Sequence, residues 1–354
     1  MSLFAKKVEF VEVRQTSGAV IGPLSVASIT PCQLRLERQD RRLEKIVLNI
    51  TGTLAAPAAF TARDALEGFL KDVRLRVNDA AGSDRLALKA NSTTLINRGR
   101  FLNGDIDRWT KTYYGTKAAS TFELNVPIYF RHPLLTEAVG HKTSLALDAR
   151  FQGSDPILEI DVADMNSIGL TTGSLFSNVT ILAAMHYRQV PSDVPYVPTQ
   201  FFTNEIWGNT AAGEQSWTFP EDGHLAGFMM EEFTSATARG AALSNTGVRG
   251  EWQFQYNGTE RQSWTTKLLE ADNDCWTRNA PSSPVYNPNF CTDIDFLHDT
   301  EQGEAMSPGS TYNMYIANAG QRARLYTNNL VASASVKVST FKFLTTNLQQ
   351  LIGA

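Results

Sequence analysis

The sequence is poor in charge, in cysteine and in long apolar runs, and each shortage excludes a class of protein. Only 19% of the 354 residues are charged, and the formal net charge is -4. The chain therefore lacks the basic excess of a protein that clamps nucleic acid along its whole length. No run approaches the roughly 18 apolar residues of a membrane span, and the first residues lack the apolar stretch of a secretory signal. Cys32, Cys275 and Cys291 show no C-x-x-C spacing, so we expect free thiols in a protein made in a reducing cytoplasm, not a disulfide framework or a structural zinc site.

Motifs for catalysis and for cofactor binding are also missing. The five histidines form no H-E-x-x-H or comparable metal spacing, and no G-x-S-x-G, phosphate-binding loop or G-x-G-x-x-G is present. The densest polar cluster holds Asp293, Asp295 and His298. On a strand the two aspartates would share one face, and a carboxylate pair can bind a hard cation. These three residues are the candidates for a metal site, and the alternative is a polar strand face that runs into a loop. We expect no catalytic residue, no cofactor and no enzymatic activity.

Alternation of apolar and polar residues dominates the sequence and predicts many short strands. The clearest run is Thr121–Phe130, in which five apolar side chains share one face. Similar runs cover Lys45–Leu54, Asp72–Val77, Leu158–Val162, Trp252–Tyr256 and Ala332–Val338. Further strands are expected at Arg85–Lys89 and Gln321–Thr327, and Val179–Tyr187 is a more continuously apolar run, as a central strand would be. Helical patterns are few and short, at Ala62–Lys71 and Thr93–Leu102. The sequence therefore predicts an all-β protein built from sandwiches or barrels.

Composition divides the chain into two halves. Residues 1–188 hold 23 Lys and Arg and 19 Asp and Glu, whereas residues 189–354 hold 9 and 17. Between the halves, Pro191, Pro195 and Pro198 predict a stiff, extended linker. Long polar loops follow it, which in compact domains are usually functional. We expect an N-terminal arm at 1–30, a first domain at 31–188, a linker at 189–205 and a second domain with long loops at 206–354.

Basic residues near the N-terminus suggest a contact surface. Lys6 and Lys7 lie in the N-terminal arm, and a group of basic residues follows at Arg35, Arg38, Arg41, Arg42 and Lys45. Acidic residues at Glu37, Asp40 and Glu44 are interleaved with this group. Two interpretations stay open: a hairpin turn whose charges are neutralised internally, or a surface that contacts lipid head groups or nucleic acid.

The order of these features resembles the double jelly-roll major capsid proteins of tailless, membrane-containing bacteriophages and their adenovirus-like relatives. The features are Leu43–Leu54 ending in Gly52-Thr53-Leu54, a helix at Ala62–Lys71, strands at Val73–Val77 and Arg85–Lys89, a helix at Thr93–Leu102, Thr121–Phe130 with Asn125-Val126-Pro127, and Val179–Tyr187 leading into the linker. The resemblance implies two tandem eight-stranded jelly rolls with a few short helices. It also implies homotrimers of pseudo-hexagonal outline that tile an icosahedral shell over an internal membrane.

The resemblance further implies partners and a location. Partners would be other copies of the chain within and between trimers, penton and minor capsid proteins, and inner membrane lipid near Lys6 and Lys7. No sequence-specific nucleic acid is implied. The protein would be made in the host cytoplasm and reside in the virion capsid.

Two other classes of function fit parts of the sequence. A phage receptor-binding or glycan-binding β-sandwich would use exposed aromatic residues, such as Trp252 with Tyr256 or Trp264 with Trp276. These tryptophans can equally pack in a core. A cupin-like enzyme would place Asp293, Asp295 and His298 around a metal.

Overall fold

The described part of the chain is almost entirely β in its computed structural model. The structure describes residues 11–25, 27–55, 58–60, 68–78, 84–96, 115–117, 119–130, 147–148, 153–165, 176–189, 199–208, 213–219, 224–233, 249–256, 260–265, 291–295, 324–329 and 335–343. The described part contains one helix, α1, at residues 92–96. No helix within it has the length and apolar character needed to cross a membrane.

The strands fall into two groups along the chain. The first half contains β1 (Val11–Gln15), β2 (Ala19–Gly22), β3 (Thr30–Arg35), β4 (Arg42–Leu54), β5 (Ala58–Phe60), β6 (Leu70–Asn78), β7 (Asp84–Ala90), β8 (Gly115–Lys117), β9 (Ser120–Tyr129), β10 (Leu147–Asp148), β11 (Ile157–Val162) and β12 (Phe176–Arg188). The second half contains β13 (Thr199–Gly208), β14 (Gly213–Thr218), β15 (His224–Phe233), β16 (Arg249–Tyr256), β17 (Glu260–Thr265), β18 (Cys291–Asp295), β19 (Arg324–Asn329) and β20 (Ser335–Phe343).

The first half is a sandwich of two antiparallel sheets. In one sheet β12 lies between β4 on one side and β1 and β2 on the other, and β4 also pairs with β9 and β10. In the facing sheet the order is β7-β6-β11-β3. Because side chains alternate along each strand, Ile46, Leu48 and Ile50 of β4 are fully buried while their neighbours are only partly covered. Each such buried side chain contributes about 1.5–3 kcal/mol through the hydrophobic effect.

One continuous apolar core fills the space between these two sheets. It includes Leu75 and Ile160 from one sheet and Val126 and Ile181 from the other. At one end of the core three phenylalanine rings meet edge to face or tilted, with centroids 5.8 Å apart for Phe69 and Phe122, 5.5 Å for Phe69 and Phe176, and 4.6 Å for Phe122 and Phe176. These tilted geometries are the ones that aromatic pairs prefer, so the rings fix how the two sheets sit against each other.

The two halves share one sheet. Strand β13 of the second half pairs in parallel with β7 of the first, with Thr203 opposite Lys89, and this extends the facing sheet to the order β18-β15-β20-β13-β7-β6-β11-β3. Helix α1 lies at the same junction, capped by Asn91, whose Oδ1 accepts a 2.7 Å hydrogen bond from the Thr94 amide. The Thr94 and Ser339 hydroxyls are buried and lie 3.2 Å apart. The halves are therefore joined side by side through backbone and side-chain bonds.

The second half adds a separate four-stranded sheet in the order β14-β19-β16-β17. Buried apolar residues of this half, Phe219, Leu325, Tyr326 and Val338, are not part of the first-half core. Trp217 packs edge to face on Phe219 with centroids 4.4 Å apart. A second packing centre therefore belongs to the second half.

The all-β prediction is confirmed, and most of the predicted strands lie within observed ones. The helix predicted at Ala62–Lys71 is wrong at its end, because Leu70 and Lys71 already belong to β6 and Phe69 packs in the core; residues 61–67 lie outside the described residues. The helix predicted at Thr93–Leu102 coincides with α1 as far as residue 96, and the rest lies outside the described residues.

The predicted domain boundaries stay a prediction, although the structure places strands inside two of the predicted segments. Strands β1 and β2 lie within 1–30, the segment for which we predicted an arm. Strand β13 begins at Thr199, inside the segment for which we predicted a linker, while residues 190–198 lie outside the described residues.

Candidate functional site

The predicted metal cluster is only partly within the described residues. Asp293 and Asp295 lie in β18, where they are register partners of Met229 and Gly227 in β15. They alternate along the strand and so occupy the same face of the sheet. His298 lies outside the described residues, as do Lys6 and Lys7. Among the residues that the structure describes, no group of three or more His, Cys, Asp or Glu side chains could hold a metal ion.

Acidic residues distant in sequence pair with two members of the basic group between Arg35 and Lys45. Arg35 Nε donates to Asp155 Oδ2 at 2.9 Å, and Arg41 pairs with Glu12. Arg42 is fully buried. Glu44 forms an ion pair with Arg188, and both side chains are largely covered. Both interpretations of this group therefore stay predictions, and the two pairings come from acidic residues outside the group.

Ion pairs of charged side chains bind strand β1 to the rest of the sandwich. Glu12 and Arg14 are opposite Tyr187 and Met185, which are buried on the core side of β12. At the rim of the sandwich Arg14 donates to Glu12 at 2.6 Å and to Glu37 at 3.1 Å, while Arg41 also pairs with Glu12. The Tyr187 hydroxyl donates to the Glu37 carbonyl. The charged side chains of β1 therefore point inward and are paired there, and Val13 between them points outward.

A second charged network covers the outer face of the eight-stranded sheet. Arg74 lies 3.3 Å from Glu159 and 3.1 Å from Asp161, and Arg76 lies 3.4 Å from Glu159 and 2.8 Å from Asp84. The hydrogen bond that Arg76 donates to Asp84, followed by the charge of Glu159, raises the pKa of Arg76. These side chains are partly exposed, and such pairs contribute little to stability individually. The network gives this face a dense, mostly balanced charge pattern.

Burial also shifts the pKa values of four other titratable groups. Burial raises the pKa of Cys32 and of Tyr187, and lowers the pKa of Arg188. Burial, and then the positive charge of Lys45, lowers the pKa of His186. His186 lies opposite Lys45 on β4 and opposite Val13 on β1. None of these groups forms a nucleophile–base pair with another of them in the described part of the chain.

Sequence reasoning missed the partners of the basic group and the strands of the arm. Glu12, Asp155 and Arg188 are distant from Arg35–Lys45 in sequence, and only folding brings them together. The alternation of Val11, Glu12, Val13 and Arg14 was the available signal for β1. No local signal marks the parallel pairing of β7 with β13, because it joins strands more than a hundred residues apart.

Two side-by-side β-sandwich halves joined in one sheet are the double jelly-roll arrangement of viral major capsid proteins. This chain is similar to a protein in the atomic structure of Sulfolobus Turreted Icosahedral Virus, with a TM-score of 0.69 and 11% identity. The match covers 97% of this chain and 93% of the viral chain. VP54 of the virus PBCV-1 gives a TM-score of 0.63 at 12% identity, covering 96% of this chain and 94% of its own. The major capsid protein P2 of bacteriophage PM2 gives 0.55 at 14% identity, covering 96% and 99%.

These likenesses establish the fold, and the predicted double jelly roll is confirmed. No protein-family model and no curated protein matches the chain. The similar structures come from archaeal and algal viruses as well as from a bacteriophage, so they do not single out phages.

Proposed function

We propose that this chain is a structural major capsid protein. The observation that carries the proposal is the match over nearly the full length of several viral major capsid proteins, 97% of this chain and 93% of the archaeal virus protein in one case. The proposal includes residence in the virion capsid and no enzymatic activity.

The side-by-side arrangement of the halves supports a homotrimer as the building block. Two similar halves in each of three copies give six similar units around one axis, which is a pseudo-hexagonal outline. Such trimers tile an icosahedral shell, with penton and minor capsid proteins at positions that the trimers do not fill. An internal membrane would lie beneath the shell, near Lys6 and Lys7 of the N-terminal segment.

Light scattering on the purified full-length chain, with negative-stain imaging of the same fraction, tests the proposal. We expect a stable species of about 117 kDa, three times the 39.1 kDa of one chain, with hexagonal outlines. A monomer that persists at high protein concentration would contradict the proposal. Imaging tests the outline separately from the mass, because a trimer without six similar units around its axis would not look six-sided.

A second candidate is a glycan-binding protein. In the pair β16–β17, Trp252 and Trp264 are register partners. A glycan-binding protein would use such a tryptophan pair to stack a sugar ring. A glycan array with the wild-type chain and Trp264→Ala distinguishes the candidates: a glycan-binding protein loses a measurable affinity in the variant, whereas a capsid protein of the proposed kind shows none in either chain.

A further inference from the structure

Strands β1 and β2 lie along the same edge of β12, and the pairing is interrupted between them. β1 pairs with residues 184–188 of β12, whereas β2 pairs with residues 179–181. Thr16 ends β1 with two hydrogen bonds of 3.0 Å, from its amide to the Ala183 carbonyl and from the Ala183 amide to its hydroxyl. Residues 17–18 are exposed and belong to no strand. Such a break can act as a hinge, so β1 can leave β12 without displacing β2.

The two strands differ in what their side chains bury. In β2, Ala19 and Ile21 pack against the apolar core of the first half. In β1, Val13 is 51% exposed, and no side chain of residues 12–15 belongs to that core. The hydrophobic effect is the main source of stability in a folded chain. It therefore holds β2 in place and contributes little to the attachment of β1.

Side chains of alternating charge attach β1 instead. Arg14 Nε donates to Glu12 Oε1 at 2.6 Å, and Arg14 Nη1 donates to Glu37 Oε1 at 3.1 Å. The other carboxylate oxygen of Glu12 pairs with Arg41. We call these four residues the β1 charge chain. Their side chains are between 31% and 55% exposed, so dissolved salt screens the attraction between them.

A histidine lies beside β1 on the other face of the sheet. His186 is the register partner of Val13 in β1 and of Lys45 in β4. The ion pair of Arg188 with Glu44 follows two residues further along β12. Burial, and then the charge of Lys45, lowers the pKa of His186 below its ordinary value of 6.5. Departure of β1 would bring water to the ring and restore its affinity for a proton, so the attachment is strongest above pH 6.5 and weakens as the pH falls.

We propose that β1 is a releasable strap, which detaches from β12 at lowered pH or raised ionic strength while β2 and the core of the first half stay folded. Detachment would uncover the backbone edge of β12 at residues 184–188, and an open strand edge can pair with another strand. The strap is a property of the first half by itself, so the inference does not depend on the proposed function.

Hydrogen–deuterium exchange of the full-length chain, read by mass spectrometry, measures the release directly. Peptides that contain β1 are compared with peptides that contain β4, as protection factors, so that the intrinsic pH dependence of exchange cancels. We expect β1 to be less protected than β4 at about pH 7.5. Its protection should fall when the pH is lowered to about 5.5 or the salt concentration is raised from about 0.1 M to about 1 M. Equal protection of β1 and β4 in all conditions would overturn the proposal, because β1 would then open only with the whole core.

Two matched substitutions test the β1 charge chain. Glu12→Gln removes the carboxylate at its centre. Glu159→Gln makes the same change on β11, where Glu159 also pairs with two arginines and is 27% exposed, against 31% for Glu12. We expect Glu12→Gln to lower the protection of β1 by about twofold to fivefold and to weaken its dependence on salt, and Glu159→Gln to change neither. Equal effects of the two substitutions would overturn the role of the charge chain.

His186→Gln tests the response to acid. The protection of β1 should fall less in this variant than in the wild-type chain when the pH is lowered from about 7.5 to about 5.5. An equal fall in both chains would overturn the role of His186. Near-ultraviolet circular dichroism of the wild-type chain should be the same at both pH values, because the core stays packed. A loss of this signal together with the protection of β1 would overturn the strap, since the whole first half would then be unfolding.

Discussion

At the scale of single residues, Gly52 shows how tightly the first-half core is packed. A Cβ at this position would lie 2.8 Å from Cζ of Phe122 and nearer still to Cε1 of the same ring. Phe122 cannot move aside freely, because it also contacts Phe69 and Phe176. We expect Gly52→Ala to lower the free energy of unfolding by about 1–3 kcal/mol, the usual cost of overpacking a core, as measured by urea denaturation.

A double variant separates this clash from a general effect of removing a glycine. Phe122→Leu shortens the side chain that the new methyl group meets. Gly52→Ala should therefore cost less in the Phe122→Leu background than in the wild-type chain. Equal costs in both backgrounds would show that the ring is not the cause.

The ion pair between Glu44 and Arg188 should be more important for stability than the pairs of Glu12. The Glu44 and Arg188 side chains are only 10% and 15% exposed, whereas Glu12 is 31% exposed. Removing one partner of a buried pair leaves an uncompensated charge, which costs about 3–5 kcal/mol. An exposed pair is worth about 0–1 kcal/mol.

We therefore expect Glu44→Gln to lower the free energy of unfolding by at least about 3 kcal/mol. Glu12→Gln, the same chemical change at the more exposed pairs, should cost about 1 kcal/mol or less. Chemical denaturation of the two variants beside the wild-type chain measures both values. A larger loss from Glu12→Gln would reverse the order that burial predicts.

At the scale of elements, β12 should make stability dependent on pH through His186. Burial, followed by the charge of Lys45, lowers the pKa of this histidine below its ordinary 6.5. The unfolded chain then binds the proton more readily than the folded chain, so stability is full above pH 6.5 and falls as the pH drops through that value.

Replacing the histidine should flatten this dependence. We expect the urea concentration at the unfolding midpoint of the wild-type chain to decrease when the pH is lowered from about 7.5 to about 5.5. The midpoint of His186→Gln should decrease less over the same range. The comparison isolates β12 because every other titratable group is the same in both chains. Equal decreases of the urea midpoint in the two chains would show that groups other than His186 cause the pH dependence.

The elements also show what local sequence can predict. Strands such as β4 and β9 were predictable because one face of each is buried against a single core, which imposes strict alternation. Leu70 and Lys71 were assigned to a helix because an apolar stripe with helical spacing happened to precede β6, and core packing of Phe69 decided otherwise.

Contacts between distant residues were beyond local reasoning. The pairs Arg41–Glu12 and Glu44–Arg188 exist only because β1 and β12 lie beside β4 in space. The resemblance in element order predicted the double jelly roll, whereas nothing in the local pattern predicted that β7 and β13 would join the halves. The candidates Asp293, Asp295, His298, Lys6 and Lys7 remain predictions.

At the scale of the whole molecule, the shared sheet should make the two halves unfold together. The β7–β13 pairing and the buried contact of Thr94 with Ser339 cross the junction. Losing either half would leave a strand edge and buried hydroxyl groups without partners, which is costly. A change that destabilises the first half should therefore also destabilise the second.

The distribution of tryptophan allows a direct test of this coupling. Trp109 is in the first half, whereas Trp207, Trp217, Trp252, Trp264 and Trp276 are in the second, so tryptophan fluorescence reports mainly on the second half. Circular dichroism reports on the strands of both. We expect Gly52→Ala to shift the urea midpoints of both signals by the same amount, because one cooperative transition moves both probes. If the variant shifted the circular dichroism curve and left fluorescence unchanged, the halves would be independent domains joined only by the chain, and the sheet that joins them would contribute nothing to stability.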